Sequence, residues 1–275
     1  MEIRKIKDGI TKSIIWSAAI LTVGILVWII SYIVINGISE IDIEFLTTAP
    51  VAEEGGIFPM IFITIYIILI TIAIATPIGI FAAIYLVEYA KPGKIVRTIR
   101  FATESLAGIP SVIFGLFGML FFVTTLKFSW SIMSGALTLS IMVLPTIIRT
   151  TEEALKSVPN SYREGSLALG ASKLRTITFA VLPSAIPGIL TAVILSVGRI
   201  VGETAAVYFT AGTVARMPGS VMESGRTLAV HLYILAKEAL SFSKAFATAT
   251  ILIAVVLIIN IITNMLASKL NKTGV

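Results

Sequence analysis

Two ionisable residues, Arg199 and Glu203, stand four positions apart inside a long apolar stretch of the sequence. A continuous helix would carry both side chains on one face. An ionised side chain near the bilayer centre costs roughly 2.5–3.5 kcal/mol, so the pair is expected to face protein or a water-filled path. One interpretation is a structural ion pair that fixes helix packing. The other is an anion path, because a guanidinium offers a fork of donors that suits phosphate or sulfate oxygens.

In an anion path, the role of Glu203 follows from its charge. A carboxylate does not attract an anion, but it can neutralise Arg199 or accept a hydrogen bond from a protonated oxyanion such as hydrogen phosphate. Sulfate carries no proton at neutral pH, so an acceptor here would favour phosphate over sulfate. Arg199 and Glu203 are therefore the candidate substrate-path residues.

A second stretch, residues 161–183, is more polar than the apolar segments on either side of it. Ser161 and Glu164 have the spacing of a capping box, in which the two side chains satisfy backbone N–H groups at a helix start. The pattern predicts a short helix over 162–169. Gly170 is a natural stop, because glycine adopts the left-handed conformation without steric cost.

The second half of this stretch predicts another helix. Ser172 is placed to cap its first turn. Pro183 is expected to end or kink it, since proline lacks the backbone N–H that a helix interior uses. The stretch thus reads as helix, glycine turn, helix.

The composition is that of an integral membrane protein. Hydrophobic residues make up 57% of the chain and charged residues 13%, whereas soluble domains carry about 25% charged residues. The absence of cysteine excludes disulfides, thiol nucleophiles and thiolate metal sites, and the single histidine, His231, excludes a multi-histidine metal centre. No nucleophile–base pair is evident, which disfavours a membrane-embedded enzyme, and no cofactor is expected.

Six apolar segments are predicted to span a membrane, since about 20 helical residues cross a bilayer core. Together they predict one transmembrane domain over 13–267, with an N-terminal segment over 1–12 and a tail over 268–275. The predicted spans cover residues 13–35, 59–89, 103–126, 131–148, 184–211 and 244–267. The second is expected to be interrupted at Pro77. The first is too long for a signal-peptide core and shows no small-residue cleavage site.

Basic residues orient the bundle. Of the 21 Lys and Arg residues, 15 fall on one side if both termini lie in the cytoplasm. Positive charge favours that side, so both termini and the 161–183 stretch are predicted to be cytoplasmic. This distribution also accounts for the net charge of +6 without nucleic-acid binding.

The 161–183 stretch resembles the "EAA" loop of binding-protein-dependent ABC importer permeases. The resemblance rests on Glu164, on Gly170 six residues later, and on the pair Leu182 and Pro183. It implies a cytoplasmic coupling helix that docks into a cleft on a separate ATPase subunit, with these four residues as the coupling residues. We call residues 161–183 the coupling segment.

The coupling segment departs from the family pattern at three positions. Gly165 and Ser166 stand where the family tends to have Ala, and Ala180 stands where Ile is common. The same segment nearly matches a phosphate-cradling Walker loop, but Ala171 occupies the position where that loop needs Lys. The chain is therefore not expected to hydrolyse ATP itself.

Residues 198–205, Gly-Arg-Ile-Val-Gly-Glu-Thr-Ala, resemble the Arg-x-x-Gly-Glu-Thr signature of phosphate ABC importer permeases, and residues 224–236 look like their A-type subunit. The resemblance implies a six-helix permease in the cell membrane that is half of a path for inorganic phosphate. It implies two ATPase subunits, an extracytoplasmic phosphate-binding protein, and a second permease of the C type. A symmetric homodimer is the alternative to that heterodimer.

Two other functions stay open at this point. One is a permease for another oxyanion, sulfate or molybdate. The other is a stand-alone ion-coupled transporter that needs no ATPase.

Overall fold

The computed structural model describes residues 2–51, 54–238 and 241–272 of the chain. Residues 273–275 of the predicted tail lie outside this range. The regular elements of the described residues are helices, apart from one short antiparallel strand pair. In its first half the elements are α1 (Glu2–Gly37), a 3₁₀ turn (Ile38–Glu40), α2 (Ile43–Thr47), β1 (Pro50–Val51), β2 (Glu54–Gly55), α3 (Phe58–Ile84) with a π-helical turn (Tyr85–Tyr89), and α4 (Lys94–Ala107).

All described elements in the second half of the chain are helices. They are α5 (Ser111–Gly118) with a π-helical extension (Met119–Thr125), α6 (Ile132–Ser157), α7 (Asn160–Ala168), α8 (Lys173–Thr176), a π-helical turn (Ile177–Val181), α9 (Leu182–Val201), α10 (Ala205–Thr210), α11 (Leu228–Lys237) and α12 (Phe242–Lys272).

Within the described residues, five helical stretches are long and apolar enough to cross a membrane, and a bent pair counted as one span brings the number to six. This confirms the predicted all-helical membrane fold with about six spans. The five stretches run over Gly9–Glu40, Phe58–Tyr89, Ile132–Ser157, Lys173–Val201 and Phe242–Met265. The second passes through Pro77 as an unbroken helix, unlike the predicted interruption.

The bent pair replaces the continuous span expected over 103–126. α4 and the helix over Ser111–Thr125 meet at an angle of 102°. The bend falls at Gly108–Pro110, where Pro110 cannot donate a backbone hydrogen bond and disfavours helical geometry in the residue before it. α4 is also not apolar all round, because it carries Arg97 and Arg100 among its exposed and half-buried positions.

The helix that contains Pro183 does not end there, although an end was one of the two predicted outcomes. The π-helical turn directly before it lets the N–H of Leu182 bond to the carbonyl of Ile177, five residues back. Such a turn widens the helix where the proline ring would otherwise crowd the carbonyl of Phe179. The chain therefore stays helical from Lys173 to Val201.

The centre of the bundle is the contact between α3 and α6. A Cβ at Gly79 of α3 would lie 2.5 Å from Cγ2 of Ile147 on α6, so only glycine allows this approach. Nearby, the hydroxyl of Thr71 donates to the carbonyl of Ala136 at 3.4 Å, and that of Ser140 reaches the carbonyl of Thr71 at 3.3 Å. Small residues and interhelical hydrogen bonds of this kind hold membrane helices together.

Candidate functional site

α7 is the first helix of the coupling segment, and it begins earlier than the sequence predicts. Pro159, with φ −56° and ψ 140°, occupies the N-cap position, and no side chain caps the helix. Ser161 lies within the first turn, so the predicted capping box with Glu164 is wrong. The reason is that the helix begins at Asn160, so Ser161 is already a helical residue and does not occupy the N-cap position.

The predicted glycine turn is confirmed. Gly170 has φ +80°, a left-handed conformation that residues with a Cβ rarely adopt. Its N–H bonds to the carbonyl of Leu167 at 2.9 Å, and the N–H of Ala171 bonds to that of Ser166 at 3.2 Å. No heavy atom lies within 4 Å of the position that a Cβ would take, so the requirement for glycine is conformational and not steric.

α8 begins where the sequence predicts. The hydroxyl of Ser172 accepts a hydrogen bond from the backbone N–H of Arg175, which confirms the cap. The hydroxyls of Ser166 and Thr176 lie 2.9 Å apart and tie α7 to α8 across the turn. The two short helices therefore form one unit.

This unit presents apolar side chains to solvent. Leu169 is 91% exposed, and Tyr162, Leu167 and Leu174 are at least half exposed. Glu164 is also exposed. Exposed apolar side chains that cluster in this way mark protein or membrane interaction sites.

The four residues carried over from the EAA resemblance divide into two groups. Glu164 and Gly170 lie on α7 and its turn. Leu182 and Pro183 begin α9, after α8 and the π-helical turn. Leu182 is half-buried against an apolar cluster from α3, α6 and α9, whereas Pro183 is exposed.

Arg163 anchors α7 to two membrane helices, a contact that sequence reasoning missed. Its Nη2 donates to Oε1 of Glu88 at 2.7 Å and its Nε to the same oxygen at 3.1 Å. Its Nη1 and Nη2 also donate to the carbonyls of Val158 and Leu155 at 2.9 and 2.8 Å. Glu88 and Arg163 are 75 positions apart in sequence, so no local pattern reveals the pair.

Arg199 and Glu203 are not on one helix face. α9 ends at Val201, and Gly202 forms its C-cap. Oε1 of Glu203 instead accepts a hydrogen bond from the N–H of Ala206 at 3.1 Å, at the start of α10. The interpretation of the two residues as a structural ion pair is therefore wrong, since the helix that would align them stops between them.

The side chain of Arg199 is half-buried and has neither a hydrogen bond nor an ion pair within the described part of the chain. A guanidinium in this position has its full set of donors available. It can bind an oxyanion or a group supplied by another subunit.

A cavity of about 260 Å³ opens between α4 and α6, and it also escaped the sequence analysis. Glu152 lies there, buried; it forms an ion pair with Arg100 at 3.1 Å and accepts a hydrogen bond from Lys156 at 2.8 Å. The cavity is lined by three basic and three acidic residues, namely Arg100, Arg149 and Lys156, and Glu104, Glu152 and Glu153. The formal charges of these lining residues therefore cancel.

On the predicted outer side, Arg226 and His231 form a second buried polar contact. Nε of Arg226 donates to the carbonyl of Thr213 at 2.7 Å, and its Nη1 lies 3.2 Å from Nδ1 of His231. Because arginine can only donate, Nδ1 must be the acceptor of a neutral imidazole. Burial, together with the charges of Arg226 and Lys244, lowers the pKa of His231 to about 4.

No cluster of three or more His, Asp or Glu side chains that could hold a metal ion occurs in residues 2–51, 54–238 and 241–272.

Comparison with known proteins places this geometry in context. Residues 75–272 match the family described as "Binding-protein-dependent transport system inner membrane component". The chain is 36% identical over 98% of its length to the "Probable ABC transporter permease protein YqgI" of Bacillus subtilis, covering 98% of that protein. It is 32% identical over 95% of its length to the "Phosphate transport system permease protein PstA" of Haemophilus influenzae, covering 94% of that protein.

Solved structures support the fold. A chain of a bacterial alginate ABC transporter, in complex with its periplasmic protein, aligns with a TM-score of 0.68 at 15% identity, over 94% of this chain and 96% of that one. A chain of the MetNI methionine ABC transporter in an inward-facing conformation aligns with a TM-score of 0.61 at 19% identity, over 78% and 94% of the two chains.

The environment of His231 predicts a pH effect on stability. α11, which carries it, is not one of the membrane-spanning stretches. The folded pKa of about 4 lies below the usual 6.5, so the unfolded chain takes up more protons than the folded one between these values. Stability should fall as the pH drops through this window, by about 2 kcal/mol at pH 5.

The variant His231→Asn tests this effect, because its amide oxygen can accept from Arg226 but does not titrate. Thermal unfolding of both proteins at pH 7 and pH 5 should show a larger loss of stability for the native chain. Equal losses would show that His231 does not contribute.

Proposed function

The chain belongs to the binding-protein-dependent transport system inner membrane component family and is a permease subunit of an ABC importer in the cell membrane; we propose that its substrate is inorganic phosphate. The observation that carries the proposal is the unpartnered, half-buried guanidinium of Arg199 at the broken end of α9. Relatives named as phosphate permeases add support.

The break after Val201 suits an anion path. A broken helix inside a membrane is tolerated where it lines a cavity or is buried in protein. It brings the guanidinium of Arg199 and the carboxylate of Glu203 into the same short segment, as donor and acceptor. Hydrogen phosphate uses both kinds of group, because its oxygens accept from arginine and its hydroxyl donates to a carboxylate.

The coupling segment gives the proposed link to ATP. α7 and the Gly170 turn would dock into a cleft on an ATPase subunit, with the exposed leucines packing there and Glu164 at the rim. Leu182 and Pro183 would carry the motion into α9, which leads to Arg199. ATP hydrolysis then takes place on the partner, and this chain acts as a non-catalytic permease.

The assembly follows from this role. A path needs two permease subunits, and we propose a C-type second permease in place of a second copy of this chain. Two ATPase subunits would bind on the cytoplasmic side, and an extracytoplasmic phosphate-binding protein would deliver the anion. Sulfate is the second candidate substrate, because the guanidinium of Arg199 fits either oxyanion.

Changing Glu203 to Gln should weaken the choice between these anions. The amide oxygen of Gln can still cap α10, but it is a weaker acceptor than a carboxylate for the phosphate hydroxyl. A hydrogen bond to a charged group contributes about 1.5–3 kcal/mol, so the preference for phosphate over sulfate should fall by about tenfold or more. Competition of sulfate against labelled phosphate uptake measures this preference.

The control for that experiment is Glu153→Gln, the same chemical change in an exposed ion pair of α6. It should keep the native preference. Unchanged selectivity in Glu203→Gln would remove Glu203 from the substrate path.

The Gly170 turn predicts a loss of coupling on a minimal substitution. Gly170→Ala forces a Cβ into the left-handed region at a cost of about 1–2 kcal/mol, so the docked turn should distort. The ATPase retained on purification in mild detergent should fall by about tenfold, and phosphate uptake with it.

Gly165→Ala is the matched control, because Gly165 is helical, has open space at its Cβ position, and stands where the family tends to have Ala. This variant should keep its ATPase. Equal ATPase retention in both variants would contradict the proposed docking role of the turn.

A further inference from the structure

The contact between Arg163 and Glu88 connects the coupling segment to the transmembrane core. We propose that this ion pair is the mechanical link through which movement of α7 reaches α3 and α6, so that Arg163 is a positioning residue for transport. The inference rests on the proposed ATPase-driven function and assigns a new role within it.

Arg163 makes several hydrogen bonds at once, and both partners of the ion pair are largely buried. Arg163 uses three nitrogen atoms on three acceptors, namely one carboxylate oxygen of Glu88 and the carbonyls of Leu155 and Val158. Its side chain is 17% exposed and that of Glu88 is 9% exposed. The planar fork of arginine fixes direction as well as distance.

The acceptors belong to two different membrane helices. Glu88 lies in the π-helical turn that ends α3, whereas Leu155 is in the last turn of α6 and Val158 follows that helix. The last carbonyls of a helix have no partner within it, and Arg163 supplies a donor for that of Leu155 and another for the carbonyl of Val158 just beyond the helix. One side chain thereby joins α7 to the ends of α3 and α6 together.

α3 and α6 form a closely packed, rigid pair. Their contact at Gly79 and Ile147 has no room for even one added carbon atom. A displacement applied at their cytoplasmic ends is therefore carried along both helices and not absorbed between them.

Arg163 also lies on the inner side of the docking helix. Glu164, its neighbour in sequence, is exposed, and so are Tyr162 and Leu167. Force from a docked partner would enter α7 on that exposed side and leave through Arg163. The contact of Ser166 with Thr176 is a second exit, toward α8 and α9, but it is a single bond between two hydroxyls.

Conservative substitutions distinguish a mechanical link through the ion pair from simple packing. Glu88→Gln keeps an acceptor of the same shape but leaves the guanidinium without its counter-charge. Arg163→Lys keeps the positive charge but cannot reach three acceptors with the same fixed geometry. Both changes should loosen the link without removing the exposed docking surface of α7.

The experiment uses the transporter that co-purifies with this chain, reconstituted in liposomes at equal ATPase content. The quantity measured is phosphate taken up per ATP hydrolysed. Because both terms scale with the amount of assembled complex, their ratio does not depend on how much of the chain folds. Coupling between sites is typically a 5–150-fold effect, so each variant should lower the ratio about fivefold or more. Glu153→Gln, in an exposed pair of α6, is the control and should keep the native ratio.

Three results would contradict either the mechanical link or the proposed function, and the measurement distinguishes them. If both Glu88→Gln and Arg163→Lys keep the native ratio of phosphate taken up to ATP hydrolysed, the ion pair is not a mechanical link, and the importer function is unaffected. Loss of the ATPase from both variants, with the control intact, would make the pair an assembly contact and likewise sink the link. If the native chain brings down no ATPase, the proposed function itself fails.

Discussion

The close contact of α3 and α6 at Gly79 is the constraint on which the other elements depend. Because Ile147 fills the space that a side chain at Gly79 would need, the two helices hold one fixed relation. The start of α9 packs on their cytoplasmic ends through an apolar cluster that includes Ala83, Leu155 and Val181. α7 reaches the same ends through Arg163. The coupling segment and the proposed path are thus both in contact with one rigid pair of helices.

The backbone irregularities of the bundle fall where other groups can satisfy the freed hydrogen bonds. In hydrocarbon an unpaired N–H or C=O costs several kcal/mol. At the end of α9 the N–H of Ala206 is taken by Glu203, and that of Tyr208 by the carbonyl of Thr204. Glu203 therefore has a structural role in starting α10 whatever it does for an anion. The carboxylate is thus engaged at the start of α10, and the end of α9 at Val201 separates it from Arg199.

Features with a short-range cause could be predicted from the sequence. The long apolar windows predict about six spans, although one of them proves to be a bent pair. Gly170 and Ser172 predict a turn and a cap through their own conformational and hydrogen-bonding preferences. The capping box at Ser161 failed because Pro159, two residues earlier, also starts helices. The alignment of Arg199 with Glu203 failed because it assumed an unbroken helix through Gly202. The Arg163 anchor and the α4–α6 cavity depend on residues distant in sequence, which one chain without its packing does not reveal.

The proposed function requires that this chain passes phosphate when a separate ATPase hydrolyses ATP. The most direct measurement is uptake of labelled phosphate by liposomes that contain the purified complex and its extracytoplasmic binding protein, with ATP supplied on the ATPase side. Uptake should require ATP, persist when ion gradients are dissipated, and fall sharply in Arg199→Ala. Uptake by this chain without an ATPase, abolished when the ion gradient is dissipated, would contradict the proposed function.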